Sequence, residues 1–271
     1  MPLQVIELDD AAEALERSGT FLTARPVEHN LLLTILEQSA ELALGGTFWL
    51  VVDGPEVVGF ALESPPGMGV VLAPMPAPTC QLLAETIKVP LWRAVGEAGS
   101  AAAFAGRWTE CRSTAVTDIE PQRLYALTDL QSVARASGTL RLATLDDRET
   151  LIEWVDAFVE ELGLVPENAP EVVERRVAGE QFWVWDDDGP VSMAGASLPA
   201  AGVARVQYVY TPAARRGSGY ATACVEHMSR TLVGRGLGCV LYTDLGNPTS
   251  NSIYRAIGYE AVAEILGYKF A

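Results

Sequence analysis

The sequence predicts two related α/β modules in tandem. Three observations carry this: a strand–turn–strand pattern that occurs twice about half a chain apart, an amphipathic helical pattern ahead of each copy, and a length of 271 residues, which suits two domains of roughly 100–200 residues each. In the first copy Phe48-Trp49-Leu50-Val51-Val52 runs into Asp53-Gly54-Pro55 and returns through Val57, Val58, Gly59 and Ala61. In the second, Phe182-Trp183-Val184-Trp185-Asp186 runs into Asp188-Gly189-Pro190 and returns through Val191, Met193, Ala194 and Ala196. Both read as a strand, a tight Asp-Gly turn and a returning strand. A repeat period above about 100 residues means duplicated domains rather than a solenoid. Ser137-Gly138 breaks the pattern, which sets the expected modules at 1–137 and 138–271.

The elements follow from local periodicity. Leu31, Leu32, Ile35, Leu36, Leu42 and Leu44 form an apolar stripe in the first half; Leu151, Trp154, Val155, Phe158 and Leu162 form one in the second, preceded by Thr144 and two aspartates as a cap. Val203–Tyr210 is rich in Val and Tyr and reads as a buried strand. A loop through Arg216-Gly217-Ser218-Gly219 leads into a helix over 221–233, closed by Gly234, Gly236 and Gly238. A strand over 239–243, a short helix over 252–256 stopped at Gly258, and a closing strand over 261–270 complete the chain.

Composition narrows the function. Hydrophobic residues make up 49% and charged residues 20%, enough for a filled core. The formal net charge is −16, which repels phosphate backbones and anionic lipid, so no nucleic-acid or membrane partner is expected. No apolar run approaches the roughly 18 residues of a membrane helix, and the short acidic N-terminus lacks the features of a signal peptide. Cys80, Cys111, Cys224 and Cys239 form no CxxC pair, and His29 and His227 are the only histidines. Neither a metal site nor a disulfide framework is expected, and a reducing cytoplasm fits best.

The glycine turn carries the chemistry. A helix start leaves N–H groups unpaired and favours an anion, and glycines let the backbone curl around phosphate oxygens. A P-loop is excluded because Tyr220-Ala221 stands where Lys-Ser or Lys-Thr is needed. A dinucleotide fold is disfavoured because Thr222 replaces the third glycine and too little chain follows. The matching place in the first half, after Val70-Val71-Leu72, holds Ala73-Pro74-Met75-Pro76-Ala77-Pro78. Prolines have no N–H to offer, and no Arg-x-x-Gly-x-Gly occurs before residue 139, so the first module is expected to keep the fold without a cofactor loop.

Arg216, Gly219 and Ala221, between a strand and a helix, resemble the acyl-CoA loop of the Gcn5-related N-acetyltransferase (GNAT) superfamily. Asn247, Tyr254 and Gly258-Tyr259 resemble its second signature, in the right order. The resemblance spans roughly 139–271 and is closest to tandem-domain acetyltransferases whose C-terminal module is intact. It implies modules that are each a mixed, mostly antiparallel sheet flanked by helices.

It also implies transfer of an acetyl group from acetyl-CoA to an amine acceptor, by direct attack in a ternary complex and without a metal. The backbone of Val209, Tyr210 and Thr211 would pair with the pantetheine arm and polarise the thioester carbonyl. Backbone groups of Arg216, Gly217, Ser218, Gly219, Tyr220, Ala221 and Thr222 would hold the pyrophosphate, and Asn247 would contact the CoA arm. Tyr254 would protonate the departing thiolate. Gln207 stands where some relatives carry a Glu, so the base is open; Glu160, Glu161 and Asp244 are candidates. His227 reads as structural, and Cys224 and Cys239 as buried.

Acceptor and assembly stay open at this stage: a small-molecule amine is expected, on a monomer or homodimer. Two other readings stand beside this one, a non-catalytic acyl-CoA-binding or sensory protein and a transferase of a larger acyl or aminoacyl group.

Overall fold

In the computed structural model, which describes residues 2–133 and 135–271, one order of elements occurs twice: β-α-α-β-β-β-α-β-α-β. The first pass is β1 (Gln4–Leu8), α1 (Ala11–Thr23), α2 (Asn30–Glu41), β2 (Thr47–Asp53), β3 (Glu56–Glu63), β4 (Val70–Leu72), α3 (Ala77–Thr86), β5 (Arg93–Glu97), α4 (Ala98–Arg112) and β6 (Val116–Leu127). The second is β7 (Thr139–Leu142), α5 (Arg148–Glu161), α6 (Ala169–Ala178), β8 (Phe182–Asp186), β9 (Pro190–Ala196), β10 (Val203–Tyr210), α7 (Tyr220–Gly234), β11 (Gly238–Asp244), α8 (Pro248–Ile257) and β12 (Tyr259–Phe270). The duplication seen in two hairpins therefore extends through every element.

The chain forms two compact units. The first comprises Met1–Tyr125, Thr243–Asn247 and Ala261–Ala271; the second comprises Ala126–Tyr242 and Pro248–Glu260. Strand order is β1-β2-β3-β4-β5-β12-β6 in the first, and β11-β10-β9-β8-β7 in the second. β4 and β5 pair in parallel, as do β10 and β11, while β1–β2, β2–β3, β3–β4, β5–β12, β7–β8, β8–β9 and β9–β10 are antiparallel. Each unit is thus a mixed, mostly antiparallel sheet with helices on it. The last strand of the chain completes the first unit, pairing with β5 from Ile265↔Glu97 to Lys269↔Arg93.

Local chemistry fixes the ends. Asp10 caps α1 by accepting from the Ala12 and Glu13 amides at 2.8 and 2.9 Å. Thr144 and Asp147 form a capping box ahead of α5. α2 stops at Glu41, short of Leu44, because Ala43 turns left-handed. α8 is longer than its apolar spacing predicts: it opens at Pro248, whose ring presets a helical φ and whose missing N–H needs no partner there. In the second unit Leu151, Trp154 and Val155 of α5 pack with Val172 and Val173 of α6 on Phe182, Val184, Met193 and Tyr208 of the sheet. Among the described residues no helix is long and apolar enough to cross a membrane.

Arg141 of β7 ties this unit together. It bonds Asp147 through two nitrogens at 2.7 and 2.8 Å and Asp186 of β8 at 2.8 Å. Burial pushes the Asp147 carboxyl up, but Arg141 and the Thr144 amide outweigh it and leave its pKa lowered. Removing Asp147 takes away two of the guanidinium's bonds and leaves Arg141 with Asp186 as its carboxylate partner. With Arg141 about a third exposed (35%), solvent screening trims the effect, and Asp147→Ala should destabilise the protein by about 2 kcal/mol at pH 7 in urea unfolding. Because the folded pKa lies below the unfolded value of about 3.9, the difference from wild type should persist above pH 4 and shrink as pH falls through the folded pKa.

Candidate functional site

β10 begins as an ordinary central strand. It pairs with β11 from Val203↔Gly238 to Val206↔Leu241 and with β9 through Val206↔Ala196 and Gln207↔Gly195. The next β9 pair is Tyr210↔Met193, so three steps along β10 answer two along β9. The extra residue is a bulge, and Tyr208 adopts a φ of 50°, uncommon for a side-chain-bearing residue. Pairing with β11 ends at Val206, before the bulge, among the described residues. Ser192 of β9 then fixes the end of the strand: its Oγ donates to the Tyr210 carbonyl at 3.0 Å and shares a 2.8 Å bond with the Thr211 hydroxyl.

After a short turn at Ala213–Arg215 the chain enters α7 through two left-handed glycines, Gly217 at φ 83° and Gly219 at φ 80°. Nothing lies within 4 Å of where a Cβ on Gly217 would sit, and only the Ala136 Cβ, at 3.9 Å, comes near Gly219. Gly219 is the N-cap and supplies no side-chain cap. The first helical bond runs from the Ala223 amide to the Gly219 carbonyl at 3.0 Å, which leaves Tyr220, Ala221 and Thr222 amides pointing out of the helix start. Arg216 directs its own amide back to Ala213. A run of amides without helical partners at a positive helix end suits an anion such as a diphosphate.

The Arg216 side chain is engaged. Its guanidinium donates to both Glu161 oxygens at 2.7 and 2.8 Å and to the Thr211 carbonyl at 2.8 Å, with its carbon 5.7 Å from the Tyr210 ring centre. Glu161, a candidate base from the sequence, is therefore the counterion of the loop arginine. Tyr220 donates its hydroxyl to Asp187 at 2.6 Å, anchoring the helix start to the β8–β9 turn.

Tyr254 lies on the buried face of α8 with Asn251 and Ile257. Its ring meets Tyr259 edge-on at 6.1 Å, and burial pushes its phenol up to about 12. Asn247 immediately precedes α8, half-buried, with its amide on the Asp244 carbonyl at 3.1 Å. Asp244, another candidate base, accepts the Gly246 amide at 2.7 Å; Glu160 is exposed. Gln207 faces Arg176, accepting both of its NH groups at 2.8 and 3.0 Å when the amide oxygen points there. His227 packs edge-on against Trp185 at 5.1 Å. Burial raises the thiol pKa of Cys224, and pushes that of Cys239 up to about 12. Among the described residues no group of His, Cys, Asp and Glu is placed to hold a metal.

The first half shows the same place filled. Met75 donates its amide to Ser100 Oγ at 3.0 Å, and Thr79 and Cys80 bond back to the Pro76 carbonyl. Met75 Sδ and Thr79 crowd Gly59 so closely that a Cβ there would sit 2.8 and 2.7 Å from them. Pro74, Pro76 and Pro78 contribute no donors. A looser form of the loop motif, ending in alanine as at Ala221, occurs at Arg93, Gly96 and Ala98. These residues lie in β5 and the start of α4, and Arg93 is bonded to Glu120 at 2.8 Å.

Sequence reasoning missed Tyr208, Ser192 and Arg176. Periodicity signals a strand but not an extra residue within it, and α6, which carries Arg176, has too short an apolar stripe (Val172 and Val173) to stand out.

The acetyltransferase (GNAT) family model matches residues 122–259, just over half the chain. An acetyltransferase of the GNAT family from Colwellia psychrerythraea is 12% identical, each chain fully covered, with a TM-score of 0.63. A GCN5-related N-acetyltransferase from Sphaerobacter thermophilus is 17% identical over 98% of this chain and 95% of its own, with a TM-score of 0.63. A tandem GNAT protein from the clavulanic acid biosynthesis pathway is 16% identical over 100% and 98%, with a TM-score of 0.54. No curated protein sequence matches the chain.

Alanine at either glycine must adopt a positive φ without a clash. Gly217→Ala and Gly219→Ala should each destabilise by about 1 kcal/mol in chemical denaturation.

Proposed function

Since the chain belongs to the GNAT acetyltransferase family, whose members use acetyl-CoA, we propose that it moves an acetyl group from acetyl-CoA to a primary amine of a small molecule. The single observation that carries the site assignment is the bulged end of β10 leading to the uncapped, glycine-lined start of α7. Amides of Gly217 to Thr222 take the diphosphate, and the Val209–Thr211 backbone takes the pantetheine arm and directs an N–H at the thioester oxygen. Asn247 contacts the CoA arm. The two modules, expected from the sequence at 1–137 and 138–271 but exchanging the closing strand β12 and residues 126–137 in the fold, divide the work: the second binds the donor, and the first, with its counterpart turn filled by Met75 and three prolines, keeps the fold without the cofactor loop.

The acceptor nitrogen forms the C–N bond as the C–S bond breaks, within one ternary complex. Tyr254 gives its proton to the departing sulfur and regains one from the acceptor nitrogen. A phenol near 12 is a weaker acid than a thiol of about 8.5, so the transfer accompanies bond breaking rather than preceding it. The reading as a tandem GNAT protein is supported by the repeated element order and by the tandem neighbour.

Free thiol released from acetyl-CoA over an amine panel tests this. Tyr254→Phe should lower kcat about 100-fold or more with acetyl-CoA affinity by calorimetry unchanged, and Gly219→Val should weaken that affinity at least tenfold. Acetyl-CoA binding with no turnover on any amine would favour the sensory reading; preference for long acyl chains would favour the larger-acyl one. With Tyr254 pushed up to about 12, kcat/KM should rise with pH toward the acceptor amine's own pKa near 10. A Tyr254-dependent fall between pH 8 and 10 would mean that the phenol loses its proton there and would contradict the raised pKa; no change of the profile in Tyr254→Phe at any pH, with kcat intact, would contradict its role as donor.

A further inference from the structure

A guanidinium with a sealed, unpartnered donor stands outside this mechanism. Arg176 of α6 is half-buried as a residue, yet its Nε is sealed from solvent and has no partner. Its other nitrogens meet neutral groups: Gln181 Oε1 at 3.2 Å, Gln207 in the orientation above, and the Tyr208 hydroxyl. Its face lies 4.6 Å from the Tyr208 ring and 5.6 Å from Phe182. No carboxylate is bonded to it among the described residues. The nearest acid influence, Glu167, accepts the Tyr208 hydroxyl at 2.8 Å instead. Arg175 and Arg205 add like charge to the neighbourhood.

A desolvated guanidinium without an anion is unfavourable, and an apolar residue of similar volume would serve packing better. In a chain of net charge −16, a carboxylate finds a positive potential only where cations gather. The place is apt for an acceptor: Tyr208, under Arg176, is the bulged residue of β10, and the Val209–Thr211 segment proposed to hold the thioester follows directly. At roughly 3.3 Å per residue, the two places lie one small molecule apart.

We propose that Arg176, framed by Gln181, Gln207 and Tyr208, is a carboxylate subsite, so that the acceptor is an amine that also carries a carboxylate, an amino acid in the chemical sense. This rests on the acetyl-transfer reading and specifies its acceptor. Fork-shaped guanidinium donors suit a carboxylate, and the two carboxamides hold the fork in place.

The test compares glycine, β-alanine, 4-aminobutyrate and glutamate with their carboxamides as acceptors, on wild type and Arg176→Met. Wild type should favour at least one acid over its amide by tenfold or more in kcat/KM. Arg176→Met should erase that preference through KM, leave acetyl-CoA affinity unchanged, and keep or raise the melting temperature, which a purely structural arginine would lower. Equal use of acids and amides by wild type, or a preference that survives in the variant, overturns the subsite while leaving acetyl transfer standing. If no acceptor turns over, calorimetry decides: carboxylate binding lost in Arg176→Met keeps the subsite and removes the acetyl-transfer reading, and no binding removes the subsite. Should Arg176→Met fail to fold, Glu167→Gln, which removes the nearby negative charge, should tighten carboxylate binding about threefold; unchanged or weaker binding overturns the proposal.

Discussion

The second unit depends on one extra residue in a strand. At Tyr208, β10 takes a left-handed step that keeps its pairing with β9 while its pairing with β11 has already ended at Val206. A regular strand would continue the parallel ladder and spend its amides on β11. With the bulge, the backbone of 209–211 is held by Ser192 of β9 at the Tyr210 carbonyl and by Arg216 at the Thr211 carbonyl, and the chain enters α7 through left-handed glycines at 217 and 219. The same step turns the Tyr208 ring beneath Arg176 and against Phe182. The places proposed for donor and acceptor thereby lie side by side along a few residues of one strand.

The two halves show how little change separates a cradle from a plug. Both run strand, turn, helix and parallel strand in the same order. In the second, the helix start has no side-chain cap and open space above its glycines, so its first-turn amides have no helical partner. In the first, prolines remove donors, Ser100 takes the Met75 amide, and the methionine side chain fills the volume over Gly59. The fold is common to both; the donor inventory differs.

Much of this was legible in the amino-acid order. The Asp-Gly hairpins, the apolar stripe of α5 with its Thr144 cap, β10 and the glycine turn all obey short-range rules, so the duplicated α/β architecture and the candidate loop could be read from spacing. Tertiary facts could not. The left-handed Tyr208 is imposed by the pairing of β9, since a tyrosine has no preference for positive φ. The Arg216–Glu161 pair joins residues 55 apart, and nothing in either neighbourhood announces it. The destination of β12, in the first unit beside β5, depends on long-range pairing that alternation alone leaves open.

The most direct measurement is amide hydrogen exchange across the chain with and without saturating CoA. Slowed exchange at 217–222, with 73–80 unchanged, is the expected result. Slowing at 73–80 instead, or none at either turn while CoA is bound, would contradict the placement of the diphosphate at the start of α7.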